Sequence, residues 1–288
     1  MPLDVFVLGL LNGISLGSVL FLLAASLSLI IGVMGILNLA HGALYMVGAF
    51  VGWTVAVQYG FNYGLAVLMG GLAAGMIGLV IERGLFRHLY KQLNEQVLLS
   101  FGLIYILTNL SQWVWGPRDR APFTAPILEG SISVMDWSYP YSRVSLIFVG
   151  LVLAVGLWWL QDKTRVGAIV RAGMDNREMA MGLGLNLERI SVAVFSLGAF
   201  IAGFTGVIGA QMLGAHLQLS IDVLLLALVV VIVGGVGSVQ GALLGGMLIG
   251  LIDAFGKTLF PDLAMFTVYL AMIIILLVRP SGLLGKKG

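Results

Sequence analysis

The chain has 288 residues, of which 60% are hydrophobic and only 10% are charged. That composition excludes a water-soluble domain and predicts an integral membrane protein, whose continuous apolar runs favour one domain over residues 1–288. Cysteine is absent, which excludes disulfides, thiolate catalysis and cysteine-ligated metal. The formal net charge of +2 favours no class of partner, and nothing in the sequence points to nucleic acid.

Apolar segments recur along the whole chain, and each predicts a helix. About 20 residues are needed to cross the hydrocarbon layer, so segments of about 15 to 17 residues are expected to be tilted, broken or re-entrant. The predicted fold is therefore all-α, a polytopic transmembrane helix bundle with about 8 to 10 spans. The apolar segments lie near residues 5–31, 42–58, 64–82, 97–115, 143–160, 190–213, 222–237, 238–256 and 264–278.

The first interruption of the apolar pattern is residues 32–42, G-V-M-G-I-L-N-L-A-H-G. Polar groups at membrane depth must face protein or a water-lined path, because lipid offers them no hydrogen-bonding partner. Asn38, His41 and Gly42 are therefore candidates for a translocation pathway. The alternative is structural, since at a broken helix these side chains can satisfy the freed backbone groups.

Residues 116–142 connect two apolar segments and contain Pro117, Pro122, Pro126 and Pro140, so they cannot form one regular helix. We expect an ordered loop on the outer side of the membrane. It either seals the outer face or offers a docking surface to an external partner, and both alternatives stay open.

Residues 161–189 are the one long polar and charged stretch between apolar segments. Within it, residues 175–183 predict a short helix, because Asp175 suits the N-cap and Glu178 stands three residues later, as in a capping box. Two glycines suit its end, Gly182 and Gly184. The residues presented to a docking partner would be Arg177, Glu178 and Met181. The alternative is a solvated loop helix without a partner.

The second interruption is residues 234–246, G-G-V-G-S-V-Q-G-A-L-L-G-G, which join two apolar segments without a charged turn. A discontinuous or re-entrant helix near the pathway would explain it. Ser238 and Gln240 are therefore further candidate pathway residues.

Glycines recur four residues apart in several segments, which places them on one helix face and predicts close helix packing. These glycines are Gly9, Gly13 and Gly17; Gly48 and Gly52; Gly71 and Gly75; Gly241 and Gly245; and Gly246 and Gly250.

Basic residues fall mainly on one side of the membrane. If residues 83–96 face the cytoplasm, residues 161–189 and the C-terminal tail do so too. That side holds Arg83, Arg87, Lys91, Lys163, Arg165, Arg171, Arg177, Arg189, Arg279, Lys286 and Lys287, whereas the other holds Arg118, Arg120, Arg143 and Lys257. This bias predicts an external N-terminus and a cytoplasmic C-terminus.

Candidate catalytic motifs are incomplete. Residues 256–258, G-K-T, lack the glycine that a P-loop requires five positions earlier, Ser238 follows a glycine but lacks the G-x-S-x-G elbow, and H-E-x-x-H does not occur. We therefore expect no enzyme activity and no metal site. Glu82, Asp222 and Asp253 lie close to span ends, which argues against proton coupling. Three classes of transporter remain: a passive channel, a sodium-coupled carrier, and the membrane subunit of a transporter that other subunits drive. The charged residues 161–189 favour the last class.

Three elements resemble a known family, and they follow one another along the chain in the family's order. Residues 171–190, R-A-G-M-D-N-R-E-M-A-M-G-L-G-L-N-L-E-R-I, are similar to the cytoplasmic coupling loop of bacterial ABC-importer permeases for branched-chain amino acids, R-A-x-x-x-N-x-E-x-A-x-x-x-G-I-N. Residues 38–42, N-L-A-H-G, resemble the family's N-x-x-H-G or N-x-A-x-G element. Residues 234–242, G-G-V-G-S-V-Q-G-A, resemble its G-G-x-G-S-x-x-G-A element. The length is similar to that of the shorter of the two permease subunits in these systems.

The resemblance implies a permease subunit of an ATP-driven importer in the bacterial inner membrane. Its substrates would be leucine, isoleucine, valine or related amino acids, amides or urea. The implied partners are the lipid bilayer, a second permease subunit, two cytoplasmic ABC ATPases and an extracytoplasmic substrate-binding protein. ATP and Mg²⁺ would bind to the ATPases, with no cofactor on this chain. The implied ATPase-coupling residues are Asp175, Asn176, Arg177, Glu178, Ala180, Met181, Gly182 and Gly184.

Overall fold

A computed structural model describes residues 3–90, 92–134, 137–175, 177–182, 184 and 186–285. These residues form helices joined by short connections, together with an antiparallel hairpin of β1 (Ser131–Val134) and β2 (Trp137–Pro140). The helices are α1 (Leu3–Met34), α2 (His41–Trp53), α3 (Tyr63–Gly84), α4 (Leu93–Trp115), α5 (Tyr141–Lys163), α6 (Arg165–Asp175), α7 (Arg177–Gly182), α8 (Leu187–Leu213), α9 (Leu219–Gly234), α10 (Val239–Leu259) and α11 (Ala264–Val278).

Seven helices of the described residues are long and apolar enough to cross a membrane: α1, α3, α4, α5, α8, α10, and α11 together with the 3₁₀ turn before it. α9 is a shorter apolar helix of 16 residues. α2 is also short, and a π-helical turn, Thr54–Gln58, prolongs it. The all-α polytopic bundle predicted from hydropathy is therefore confirmed.

α1, α2 and α8 form the centre of the bundle. α1 packs against α5, α8, α9 and α10, while α2 packs against α3, α4, α8 and α9. α2 is buried over nearly its whole length, including Tyr45 and Phe50. Outer helices instead turn apolar side chains such as Leu72, Phe148 and Ile273 outward, where lipid tails are a suitable solvent.

Glycines four residues apart bring α1 and α10 into close contact, as predicted. Gly13 and Gly17 of α1 face Gly246 and Gly250 of α10. A methyl group on Gly17 would lie 2.8 Å from the carbonyl oxygen of Gly246, and a methyl group on Gly250 would lie 2.6 Å from Cα of Gly17. A Cβ atom essentially never lies within 3.0 Å of another heavy atom, so glycine is required at this interface.

The described residues of the connection, 116–134 and 137–142, make defined contacts with the bundle, as expected for an ordered connection. Main-chain hydrogen bonds of 2.8 and 3.0 Å join Arg120 to Ala215, which lies between α8 and α9. Tyr139 of β2 is buried, and its hydroxyl lies 2.8 Å from the hydroxyl of Ser15 in α1. Burial raises the pKa of Tyr139, so this hydroxyl stays protonated. These contacts fasten the connection onto one end of the bundle.

Candidate functional site

The basic segments lie together at the opposite end of the bundle. The guanidinium group of Arg87, after α3, lies 3.4 Å from the carboxylate of Glu188 at the start of α8. Arg171 of α6 and Ser281 after α11 line one cavity. The three segments therefore lie at one end of the bundle within the described residues, and the side of the membrane that they face stays a prediction. Lys91, Lys286 and Lys287 lie outside the described residues.

The described part of the charged stretch is helical over α6 and α7, on either side of Asn176, which lies outside the described residues, whereas the sequence predicted one helix over residues 175–183. The prediction that Asp175 caps the start of a helix is wrong, because Asp175 is itself a helical residue of α6. The helical pattern begins earlier, at Arg165, and Val170 on its apolar side is 5% exposed. The apolar stripe of an 11-residue helix is a weaker signal than the apolar run of a span.

Several hydrogen bonds fasten α6 to the end of α5. The hydroxyl of Thr164 accepts a hydrogen bond of 3.0 Å from the N–H of Gly167, as an N-cap does. Arg171 donates to the carbonyl oxygen of Gln161, and its guanidinium group lies 3.4 Å from the carboxylate of Asp162. α6 also packs against α1. The α5–α6 corner is therefore coupled to the centre of the bundle.

The described coupling residues lie on α7 and just after it. Ala180 is 2% exposed, whereas Met181 is 46% exposed. The described part of α7 runs to Gly182 and contacts both α6 and α8. Residue 183 lies outside the described residues, so the end of the helix at Gly182 or Gly184 stays a prediction. Gly184 has a φ of 83°, which favours glycine, and its N–H donates to the carbonyl of Met181 over 2.9 Å. Asn176 and the side chains of Asp175, Arg177 and Glu178 lie outside the described residues.

The first interruption of the apolar pattern, residues 32–42, contains the break between α1 and α2 inside the bundle, so the predicted break is confirmed. Asn38 is 1% exposed, and its side-chain oxygen accepts a 3.1 Å hydrogen bond from the main chain two residues later. His41 is fully buried, with Nε2 lying 2.8 Å from the hydroxyl of Ser26. Gly42 packs against α9. These residues are enclosed within the subunit, which fits the alternative that they satisfy backbone groups at the helix break. Their role in a pathway stays a prediction.

The second interruption is a turn of residues 235–238 between α9 and α10. The hydroxyl of Ser238 accepts a 2.9 Å hydrogen bond from the N–H of Gly241 and so caps α10. The N–H groups of Leu283 and Leu284 donate to carbonyl groups at the end of α9, over 2.8 and 3.0 Å. The C-terminal segment therefore holds this turn in place.

A cavity of about 610 Å³ lies beside this turn. Ser238 and Gln240 line it, together with Gly32 at the end of α1 and Gln161 and Arg171 at the α5–α6 corner. The structure thus brings the second interruption next to the charged stretch, while the buried side chains of the first interruption do not line this cavity. Among the described residues, no group of three or more His, Asp or Glu side chains is arranged to hold a metal.

Sequence comparison finds relatives along nearly the whole chain. Residues 9–277 match the sequence model of the branched-chain amino acid transport system permease component. The high-affinity branched-chain amino acid transport permease BraD of Pseudomonas aeruginosa is 30% identical over 96% of this chain and 95% of its own length. LivH of Escherichia coli K12, of the same description, is 27% identical over 98% of this chain and 96% of its own. The ribose import permease RbsC of Haemophilus influenzae is 24% identical over 96% of this chain and 86% of its own.

Structural comparison finds a similar fold in PsaBC from Streptococcus pneumoniae, solved in complex with Fab. The TM-score is 0.50, with 14% identity, 93% of this chain covered and 89% of that chain. This likeness concerns the fold alone. Because the family match extends over residues 9–277 and the chain forms a multi-pass helix bundle, the chain belongs to the family of branched-chain amino acid transport permease components.

Proposed function

We propose that this chain is the membrane-spanning permease subunit of an ATP-driven importer that moves branched-chain amino acids inward. The observation that carries the proposal is the family match over residues 9–277, joined to 30% identity with BraD over 96% of the chain. The chain itself performs no chemistry. ATP and Mg²⁺ bind to two cytoplasmic ATPase subunits, and a second permease subunit completes the pathway.

α6 and α7 receive the force of the ATPases in this proposal. Met181 offers an exposed apolar side chain on α7, while Ala180 is buried on the same short helix. Contacts of α7 with α8, and of α6 with α5 and α1, connect this surface to the spans. When the ATPases close on ATP, they move α6 and α7, and the attached spans follow as rigid bodies.

The distribution of basic residues gives the orientation of the chain in the membrane. That orientation identifies the surface for the remaining partner, the substrate-binding protein. The side that carries α6 and α7 is cytoplasmic, so the N-terminus is external and the C-terminus cytoplasmic in the inner membrane. The anchored connection of residues 116–142 then lies outside. It offers the docking surface for a substrate-binding protein, because its contacts with Ser15 and Ala215 hold it in a fixed position.

Uptake into proteoliposomes tests this proposal. The chain is reconstituted with ATPases, a second permease and a binding protein from its own genome, and labelled leucine uptake is followed with and without ATP. We expect uptake that needs both ATP and the binding protein and that isoleucine and valine inhibit. Competition by ribose alone would contradict the substrate, since RbsC is also a relative. Uptake driven by a sodium gradient, or without nucleotide, would contradict the mechanism.

A further inference from the structure

A second cavity, of about 500 Å³, lies between the end of α3 and the start of α8. Three guanidinium groups line it, those of Arg83, Arg87 and Arg189. Arg87 lies 3.4 Å from the carboxylate of Glu188. The other two guanidinium groups have no ion-pair partner among the described residues. The charge around this cavity is therefore suited to an anion.

Two buried oxygen atoms of side chains that line the same cavity lack a partner. Glu82 is fully buried and lies two residues before the end of α3, close to a span end as predicted. One of its carboxyl oxygens accepts a hydrogen bond from the hydroxyl of Tyr90, whereas Oε2 has no hydrogen-bonding partner within the described part of the chain. The hydroxyl of Ser196 in α8 is likewise buried without a partner there. Because unpaired buried polar groups are costly, these two point to a ligand that donates hydrogen bonds.

The cavity lies at a surface of the membrane. α3 has 22 residues and so rises about 33 Å, close to the roughly 30 Å of a hydrocarbon layer. Its first residue, Tyr63, packs against Phe123 of the 116–142 connection, and Arg83 is its last residue but one. The helix therefore reaches from one surface to the other. Guanidinium groups are costly inside hydrocarbon and settle at the interface, which places the cavity at the level of lipid headgroups.

Apolar surface continues from the cavity along α3. Met76 and Val80 are 67% and 69% exposed, and Arg83 follows Val80 by three residues. Residues at these spacings share one side of a helix, so an apolar stripe ends at a guanidinium group. Leu79 and Val192 add apolar lining inside the cavity. A molecule with a phosphate next to acyl chains matches this order of charged and apolar surface.

We propose that this cavity binds the headgroup of phosphatidylglycerol, an anionic phospholipid. The three guanidinium groups bind its phosphate, and its glycerol hydroxyls donate to Oε2 of Glu82 and bond to the hydroxyl of Ser196. The acyl chains lie along the stripe of Met76 and Val80. A choline headgroup fits poorly, because it has no hydrogen-bond donor and adds positive charge beside the guanidinium groups. The inference goes beyond the proposed function, and only the choice of the cytoplasmic leaflet rests on the orientation proposed above.

Photo-cross-linking locates the lipid. The assembled transporter is placed in phosphatidylcholine nanodiscs that contain a little phosphatidylglycerol with a diazirine on its acyl chain, and the labelled peptides are identified by mass spectrometry. We expect labelling at Met76 and Val80 to exceed that at Phe148, an exposed apolar residue of α5, by at least about fivefold, since one basic residue near the membrane surface contributes about 1 kcal/mol. Equal labelling of α3 and α5 would overturn the site.

Competition separates a lipid from a soluble phosphate ester and from a protein occupant. Unlabelled phosphatidylglycerol should displace the photoreactive lipid, whereas glycerol phosphate at the same concentration should not. Equal displacement by glycerol phosphate would overturn the lipid assignment. Labelling that appears only when the ATPases are left out would show that an ATPase covers the cavity, and would overturn it too.

Arg83→Gln and Arg189→Gln test the phosphate contacts. Each should lower the labelling of the α3 stripe by about fivefold, for the same reason of about 1 kcal/mol per basic residue. Arg165→Gln is the matched control, because Arg165 is the exposed first residue of α6 and does not line this cavity. Equal losses in the control and in the two variants would leave only a general effect of surface charge and overturn the site.

The hydroxyl contacts are tested with phosphatidylmethanol, which carries the same phosphate charge but no headgroup hydroxyl. Phosphatidylglycerol should compete about fivefold more strongly than phosphatidylmethanol, the factor given by about 1 kcal/mol for a hydrogen bond. Glu82→Leu should bring this ratio close to one, and Ser196→Ala should lower it. If Glu82→Leu does not assemble, Ser196→Ala decides alone, since it removes only a hydroxyl.

Two results would overturn the headgroup assignment. One is an unchanged ratio in the variants that assemble. The other is stronger competition by phosphatidylethanolamine than by phosphatidylglycerol, which would assign Glu82 to an ammonium group. Binding is measured without transport, so this inference stands or fails independently of the proposed function.

Discussion

Gly250→Ala places a methyl group inside the contact between α1 and α10. That methyl would lie 2.5 Å from the main-chain nitrogen of Gly17 and 2.6 Å from its Cα. Both atoms belong to the backbone of α1, so no side chain can rotate away and the two helices must separate. Overpacking of this kind costs about 1–3 kcal/mol. Gly156→Ala is the matched control, because Gly156 lies in α5 with no atom within 4 Å of the new methyl.

The two variants are compared by equilibrium unfolding in mixed detergent micelles. The control should gain up to about 1 kcal/mol, since alanine favours a helix over glycine by that amount. Gly250→Ala gains the same helix preference, so it should unfold with a free energy about 1–3 kcal/mol lower than that of the control, which is the cost of overpacking. Equal stability of the two variants would refute the close approach of α1 and α10.

The remaining predictions concern the α6–α7 region and one buried hydrogen bond. Glu178→Ala and Gly184→Ala should strongly reduce ATP-driven leucine uptake while insertion into the membrane stays intact; wild-type uptake in both would contradict their coupling role. For Gly184 the reason is the positive φ, which strains any other residue by about 1–2 kcal/mol. Arg171→Ala should lower uptake by loosening α6 from α5 but change the unfolding free energy by less than about 1 kcal/mol, because its ion pair is partly exposed. Ser26→Ala should lower that free energy by about 1–3 kcal/mol, because His41 loses its buried partner; an unchanged value would contradict the contact.

Features that depend on local pattern could be predicted from the sequence. The apolar segments predicted the helices because length and hydropathy alone decide whether a segment suits lipid. Two pairs of glycines four residues apart, Gly13 with Gly17 and Gly246 with Gly250, predicted close helix packing because each pair shares a helix face. The break at residues 35–40 followed from glycines and polar residues inside an apolar run.

Features that depend on the tertiary arrangement could not be predicted from the sequence. Asp175 is a residue type that suits an N-cap, but it is helical within α6, because the apolar side of α6 packs on the bundle and Arg171 bonds to α5.

Cross-linking from Met181 tests most directly whether α7 receives the force of the ATPases. Met181→Cys would be the only cysteine of the chain, and Met265→Cys, 82% exposed at the start of α11, is the control. In the assembled transporter, a thiol-specific cross-linker should join the ATPase to position 181 but not to position 265, and the cross-link should stop ATP-driven leucine uptake. A transporter that takes up leucine with ATP but gives no cross-link at position 181 would contradict this account.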